Sequence, residues 1–471
     1  MSSLQRLVSP FTAGRFLLVW WLGLFAVLAL LYGRFLFPAV DGKLIAFGDW
    51  PAAVAAANFT GEGLRAGYPP LATDVPIQRT SLFWGVPEFP CFPFSVAFLF
   101  GPALGYFGLL LFCLALGLWA ACHLSLRLRL SPLASLVPVA VTFLGGPFVS
   151  HYAVGHFMWQ GLLFAPLAVL LVLDQRRVPP ATAAVRWGFF VLLLLALGSL
   201  HVAVWFTAFY VLAAVAERRW WLAFGALACV VVFGAFRILP AAYAYAWEAA
   251  PALAPSPGFP TLDALLASVV LLRPAHYFPH PPGAVPFAFA NQWEFSMFAS
   301  VSLAGILVVA VVVGWRSRHF RRCLLPLAVL ALASFSFVYV WVCDLPLPLA
   351  TFQRIPSRFF AVVLLFSSWL LGPVLQLFAR RFPGWFAFAV VLGLHDLLVH
   401  LSWYSVRHLV GIYAPQTLLF PLPVTPPSGF VVVSACGLAL SAVSVCAAAY
   451  LASRLSRRSC LPRAGGFTPK A

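Results

Sequence analysis

The sequence predicts an all-α polytopic membrane protein with about twelve transmembrane helices and both termini in the cytoplasm. Of its 471 residues, 63% are hydrophobic and only 9% are charged, whereas a soluble globular domain carries about 25% charged residues. Apolar runs of about 18 residues or more recur from end to end, and each is long enough to cross a bilayer core of about 30 Å. Basic residues cluster between these runs, which is the pattern that orients membrane proteins.

The whole chain, 1–471, is expected to form a single integral membrane domain without a separate soluble domain. The first apolar run follows Arg15 and is too long for a cleavable signal peptide, so we expect it to stay as a helix. The run 187–216 is too long for one crossing and has basic residues at both ends, so we divide it at 198–201. The predicted crossings are 16–37, 102–124, 132–149, 157–173, two within 187–216, then 220–240, 296–314, 324–343, 359–379, 385–404 and 430–452.

The distribution of charge fixes the predicted orientation. With the N-terminus inside, 20 of the 29 Lys and Arg residues fall on the cytoplasmic side and nine fall on the other, in agreement with the positive-inside rule. The basic residues behind the net charge of +17 are therefore explained by their role in orienting the protein in the membrane. We expect no nucleic acid partner. The predicted location is a bacterial inner (plasma) membrane, which the chain crosses many times.

Two predicted extracytoplasmic loops, 38–92 and 241–295, are longer than simple connections between helices. They are rich in Pro, Phe and Trp, so we expect them to lie on the membrane surface as short interfacial helices and turns, with helices near 51–59 and 261–272. Nine of the twelve acidic residues fall on this outer side. Polar chemistry is therefore expected on the non-cytoplasmic face.

Asp49 is the first candidate catalytic residue. It follows Gly48 and precedes Trp50-Pro51 in the first outer loop, close enough to helix 16–37 to stay near the membrane surface. A carboxylate there can act as a general base on an acceptor hydroxyl. An Asp before Trp-Pro is also a good helix N-cap, and one residue can do both. Asp41 is the second candidate for the base.

Two arginines, Arg354 and Arg358, flank a proline in the outer loop 344–358 at the start of helix 359–379. Arginine binds phosphate through two parallel hydrogen bonds, and the positive end of a helix dipole adds to the attraction. These residues are candidates for holding a lipid phosphate. The alternative is that both arginines snorkel to a membrane interface.

Further candidates are His151, His156 and Glu294. The two histidines bracket the predicted turn between helices 132–149 and 157–173, and Glu294 precedes helix 296–314. Glu294 can pair with an arginine of the phosphate site or bind sugar hydroxyls. The spacing of the histidines is not diagnostic of metal binding, so the sequence identifies no definite cofactor, and a divalent cation stays an open alternative. In helix 385–404, Asp396 lies four residues before His400, a spacing that permits a hydrogen bond along one helix face.

The layout resembles the GT-C superfamily of integral membrane glycosyltransferases, and most of all its YfhO-like bacterial branch. The resemblance rests on Gly48-Asp49 shortly after the first helix, the turn Gly155-His156, and a closely spaced helix pair at 187–216. It also rests on Trp293-Glu294 at the end of the second outer loop and on the Arg354–Arg358 segment. It covers most of the chain in architecture. Many members of that superfamily end in a soluble extracytoplasmic domain, whereas this sequence is expected to end with its last predicted helix and a short basic tail.

The resemblance implies a glycosyltransferase that takes a sugar from a polyprenyl-phosphate carrier on the non-cytoplasmic face, with inversion. Asp49 would be the base, and Arg354 and Arg358 would hold the donor phosphate. The expected partners are the lipid-linked donor, membrane lipid and an acceptor that the sequence does not identify. Two alternatives stay open: a transporter or flippase for a lipid-linked saccharide or another amphiphile, and a non-catalytic scaffold. Transporters place polar residues at the bilayer midplane, which is nearly free of charge here apart from Asp396.

Overall fold

The computed structural model describes residues 15–75, 80–247, 258–272, 292–343, 355–412 and 415–459. Strand pairing in these ranges is confined to a hairpin of β1 (Ala39–Val40) and β2 (Lys43–Leu44) and a few isolated bridges. The α-helices in chain order are α1 (Arg15–Phe35), α2 (Trp50–Ala66), α3 (Pro102–Leu128), α4 (Pro132–Leu144), α5 (Gly146–Ala153), α6 (Ala165–Asp174), α7 (Pro180–Ala196), α8 (Leu200–Ala216), α9 (Trp220–Phe233), α10 (Ala235–Trp247), α11 (Leu262–Val270), α12 (Val301–Gly314), α13 (Arg318–Arg322), α14 (Leu324–Ala333), α15 (Ser336–Cys343), α16 (Phe359–Leu370), α17 (Gly372–Arg381), α18 (Pro383–Trp403), α19 (Val406–Val410) and α20 (Ser428–Ser459). Short 3-10 helices cover Phe83–Gly85, Phe94–Phe100, Phe157–Phe164, Gln292–Phe295 and Pro356–Arg358.

The chain is an all-α membrane-type protein. By length and composition, the described residues contain six helices able to cross a membrane, or up to eight if each of two bent helix pairs counts as one span. The pairs are α9 with α10, bent by 74°, and the helix 356–370 with α17, bent by 51°. Four further apolar helices, α7, α8, α12 and α14, are 10 to 17 residues long.

Each predicted crossing overlaps a helix or a helix pair, but four are interrupted. The predicted helix 132–149 is divided at Gly145 into α4 and α5. The predicted helix 220–240 breaks at Gly234, and 359–379 breaks after Leu370, next to a proline in the first turn of α17. The predicted helix 324–343 is divided at Ser334 and Phe335 because Phe259 forms a strand-like bridge there. Glycine and proline favour helix ends, so three of these breaks have a local cause in the sequence.

The two helices predicted in the outer loops are present. α2 begins at Trp50 with Pro51 in its first turn, and α11 begins after Thr261, whose side chain accepts a hydrogen bond from the Ala264 backbone N–H. Most side chains of α2 are buried against the rest of the protein. Apolar and small residues on several sides of α2 explain this burial.

The core of the molecule lies around α4, α5 and the 3-10 helix Phe157–Phe164, whose side chains are nearly all buried. In contrast, α1 and α20 expose most of their apolar side chains, as helices facing lipid do. The turn between α5 and Phe157–Phe164 therefore lies in the most deeply buried part of the fold. That turn carries the site described next.

Candidate functional site

Asp49 is positioned by two backbone segments that cross in direct contact. The Asp49 N–H donates to the Val154 carbonyl at 2.9 Å, and the Trp50 indole N–H donates to the Ala153 carbonyl at 3.0 Å. A Cβ on Gly48 would lie 2.5 Å from the Val154 oxygen, and a Cβ on Gly155 would lie 2.5 Å from the Trp50 nitrogen. Both glycines also have positive φ, +59° and +95°, which favours glycine. The crossing therefore requires both glycines.

The Asp49 carboxylate does not cap the helix that it precedes. Asp49 occupies the N-cap position of α2, but its side chain makes no capping hydrogen bond. Instead, its Oδ2 lies 2.9 Å from His156 Nε2. The Asp49 side chain is 49% exposed and the His156 side chain only 9%. The buried imidazole of His156 thus orients the accessible carboxylate of Asp49. This is the geometry of a general base held by a supporting group.

His156 is in turn hydrogen-bonded to His151. Their Nδ1 atoms lie 2.8 Å apart, and His151 is fully buried in α5. One Nδ1 must donate and the other accept. One arrangement that fits both contacts has His156 donating its Nε2 proton to Asp49 and accepting the Nδ1 proton of His151 at its own Nδ1. In the described part of the chain, the buried Nε2 of His151 has no hydrogen-bond partner.

Behind His151 lies a buried ion pair. Glu294 accepts from Arg358 through both oxygens, Nε to Oε2 at 2.7 Å and Nη2 to Oε1 at 2.6 Å. The side chains are 6% and 11% exposed, and Glu294 Oε2 lies 3.8 Å from His151 Nε2. Ser357 donates to the Glu294 carbonyl at 2.8 Å, which fixes the two 3-10 segments against each other. Of the two roles that the sequence allowed for Glu294, the pairing with an arginine is therefore the one found.

Trp159 holds the inner end of the site together. Its ring stacks on His151 with centroids 3.3 Å apart and planes 9° apart, and the Arg358 guanidinium lies 5.4 Å from the Trp159 ring centre. Stacking and cation–π contact favour this arrangement. Sequence reasoning missed Trp159, because one buried tryptophan among 17 in the chain carries no distinguishing pattern. We call Asp49, His156, His151, Glu294 and Arg358 the Asp49 network.

Three residues of the Asp49 network, His151, His156 and Glu294, carry atoms that can act as metal ligands. Ligand atoms of His151, His156 and Glu294 lie within 4.8 Å of one another, and nitrogen with carboxylate oxygen is a donor set that zinc uses. However, both oxygens of Glu294 accept from Arg358, and the Nδ1 atoms of the histidines bond to each other. A metal ion would have to replace these bonds beside a guanidinium charge. The residues fit a hydrogen-bonded network better than a metal site.

The other candidates lie outside the Asp49 network. Asp41 is exposed, with φ of 50°, in the two-residue turn between β1 and β2, followed by Gly42. Asp-Gly is typical of such hairpin turns, so the conformation of the turn accounts for an aspartate at position 41. Arg354 lies outside the described residues. Arg358 is buried and paired, so it does not snorkel to an interface.

The predicted pairing of Asp396 with His400 was wrong. Asp396 Oδ1 lies 3.4 Å from its neighbour His395 Nδ1, at the surface of α18. The buried His400 instead has its Nε2 3.2 Å from Ser296 Oγ, and its ring stacks on Phe298. The segment 296–298 packs against α18 and offers His400 a partner from another element, which spacing within one helix cannot reveal. His400 is a structural residue here.

Comparison with known proteins gives no match of significance: no family model, no curated protein and no solved structure is similar to this chain at that level.

Proposed function

We propose that this protein is a membrane glycosyltransferase that moves a sugar from a polyprenyl-phosphate carrier to an acceptor on the non-cytoplasmic face, with inversion. The observation that carries the proposal is the Asp49 carboxylate, which is half-exposed, does not cap its helix and is held by the buried His156. A carboxylate in a structural role would be expected to use its oxygens on the helix N-terminus. The layout of the chain resembles the GT-C superfamily, and this resemblance supports the same function.

In the proposed reaction, the acceptor hydroxyl oxygen attacks the anomeric carbon of the sugar. The bond between that carbon and the carrier phosphate oxygen breaks, and the phosphate leaves with the electron pair. Asp49 takes the hydroxyl proton as the new bond forms. His156 keeps the carboxylate oriented through its Nε2 proton, and His151 fixes the tautomer of His156. The pair of Glu294 and Arg358 anchors His151 from behind.

The role of Arg358 in this proposal differs from the one expected from sequence. Its Nε and Nη2 atoms donate to Glu294. The pair of donors that would bind a phosphate in bidentate fashion is therefore already used. We assign Arg358 to support of the Asp49 network. Arg354 stays the proposed ligand of the donor phosphate.

The proposed topology has twelve crossings and places Asp49 outside the cytoplasm. Counting each bent pair once and adding the four shorter apolar helices to the six long ones gives twelve. With both termini inside, the hairpin, α2 and the Asp49 network are extracytoplasmic, where polyprenyl-phosphate donors are expected by the GT-C resemblance.

A transporter or flippase for the same lipid is the competing function, and a scaffold is a third. A flippase would move the intact lipid-linked sugar without cleaving it. The test uses purified protein in liposomes with radiolabelled polyprenyl-phosphate sugars on the outside and an acceptor extract. Release of the carrier phosphate with label on the acceptor supports the transferase. Movement of uncleaved donor to the inner leaflet, with no labelled product, would contradict the transferase and support the flippase.

A further inference from the structure

A second site lies away from the Asp49 network. A cavity of about 340 Å³ is enclosed by the C-terminal half of α2, the following loop and the segment 83–95. Its walls are largely apolar and include Leu64, Trp84, Phe89 and Phe92. None of the five residues of the Asp49 network lines it. Among the described residues that line it, Arg237 is the one with a charged side chain.

Arg237 is buried in α10, just after the 74° bend at Gly234, and only 2% of it is exposed. Its Nη1 donates to the Trp84 carbonyl at 3.2 Å, and its Nη2 donates to the carbonyls of Val86 and Phe89. The guanidinium also lies 5.4 Å from the Trp84 ring centre. Arg237 therefore ties the segment 83–95 to the bend between α9 and α10.

All three of these hydrogen bonds go to uncharged backbone carbonyl groups. Within the described part of the chain, no carboxylate lies within 4.0 Å of Arg237, and its buried Nε has no hydrogen-bond partner. Glu88 attracts Arg237 from a greater distance, but its carboxylate lies 3.7 Å from His201. A buried charge is stabilised by an opposite charge with hydrogen-bonding groups. The cavity is where such an anion can sit.

The surroundings of the cavity indicate that the anion belongs to a lipid. Phe92, which lines the cavity, is 69% exposed, and Phe100 at the end of the next 3-10 helix is 74% exposed. Exposed apolar side chains that lie close together are a feature of surfaces that contact a membrane. An apolar wall beside such rings suits an acyl chain, while Arg237 suits a phosphate.

We propose that this cavity binds the phosphate headgroup of an anionic membrane phospholipid, with Arg237 as its counter-charge and the apolar wall around its chain. The site goes beyond sugar transfer and does not require it. By filling the cavity, the lipid joins α2, the segment 83–95 and the bend before α10. Because Asp49 is the N-cap residue of α2, the bound lipid stabilises the element that presents the Asp49 carboxylate.

The experiment measures lipid retained by the delipidated, detergent-purified protein in native mass spectrometry, with dioleoyl phosphatidylglycerol as the probe. Dioleoylglycerol has the same acyl chains without the phosphate and tests how much the chains alone contribute to binding. Inorganic phosphate is added as a competitor and tests how much the phosphate alone contributes. Arg237→Gln removes the charge. Leu64→Trp places a large ring in the cavity and keeps Arg237 itself unchanged. Glu62→Trp is its matched control because Glu62 is exposed and does not line the cavity.

We expect one tightly held phosphatidylglycerol per wild-type chain, with affinity about tenfold weaker or more in Arg237→Gln, as for loss of a charge-assisted hydrogen bond. Leu64→Trp should lose binding, while Glu62→Trp and Asp49→Asn should bind as the wild type does. Asp49→Asn separates this site from the proposed transfer reaction. Because Arg237→Gln can impair folding, Leu64→Trp decides the matter alone. Equal retention of dioleoylglycerol, full competition by inorganic phosphate, or wild-type binding by Leu64→Trp would each overturn the proposal.

Discussion

His156 Nε2 lies 2.9 Å from Asp49 Oδ2, although Asp49 stands at the N-cap position where its carboxylate would ordinarily accept from its own helix. The bond joins the start of α2 to the turn after α5, more than a hundred residues apart in the chain. Asp49 therefore keeps an exposed carboxylate in one orientation without capping its helix.

The first prediction concerns the backbone crossing. Gly155→Ala places a Cβ 2.5 Å from the Trp50 nitrogen at a residue with φ of +95°, so α2 must shift away from His156. The left-handed conformation alone costs about 1–2 kcal/mol for a non-glycine residue. Thermal unfolding in detergent should show lower stability, and transfer should fall with it. Gly108→Ala is the matched control, since a Cβ there meets nothing within 4 Å, and it should be neutral. Equal stability of the two variants would contradict the described crossing.

The second prediction concerns the histidine pair. His151→Phe keeps a flat ring to stack on Trp159 but removes the 2.8 Å bond to His156 Nδ1. His156 can then adopt the wrong tautomer, so the rate should fall by about tenfold or more while donor affinity is unchanged. The measurement is kcat and KM with a labelled donor. A rise in KM at constant kcat would assign His151 to donor binding instead.

The third prediction concerns the buried ion pair. Glu294→Gln leaves Arg358 buried without its partner and should destabilise the protein by about 3–5 kcal/mol. Arg358→Lys should also be harmful, because lysine cannot form both hydrogen bonds. The double variant Glu294→Leu/Arg358→Met removes both charges and should recover much of the stability. Thermal unfolding of the three variants checks this, and a double variant less stable than Glu294→Gln would argue against a simple charge pair.

The fourth prediction concerns orientation. Lys43→Cys in the β-hairpin and Arg177→Cys after α6 place single exposed thiols on opposite predicted sides. An impermeant thiol reagent applied outside intact cells should label the first and spare the second until the membrane is opened. The unmodified chain is the control for the native cysteines. Labelling of both positions from outside would refute the proposed topology.

Much of the helical pattern could be predicted from sequence, because apolar length and flanking charge are local properties. The predicted helix 261–272 is found as α11, with Thr261 as its cap. Breaks caused by tertiary contact, such as the one where Phe259 meets Phe335, could not be predicted. The same limit explains the wrong partner for His400, which bonds to Ser296 from another element.

All five residues of the Asp49 network were singled out from sequence, but most of the bonds that join them were not. Glu294 and Arg358 are 64 residues apart, and only packing of the two 3-10 segments brings them together. From the sequence, Arg237 was only one of the nine basic residues predicted on the outer side. Its burial among backbone carbonyl groups depends on how the segments around the bend between α9 and α10 pack, which no local pattern predicts.

The substitution Asp49→Asn tests most directly whether Asp49 is the general base. Asparagine keeps the size of the side chain and can still accept from His156, but it cannot take a proton from an acceptor. Transfer is measured with radiolabelled polyprenyl-phosphate sugars and membranes lacking this protein as the source of acceptor. Asp41→Asn in the hairpin turn is the matched control. We predict that Asp49→Asn is folded and loses transfer by about 10²–10⁴-fold, while Asp41→Asn transfers as the wild type does. Unchanged transfer by Asp49→Asn would contradict the account.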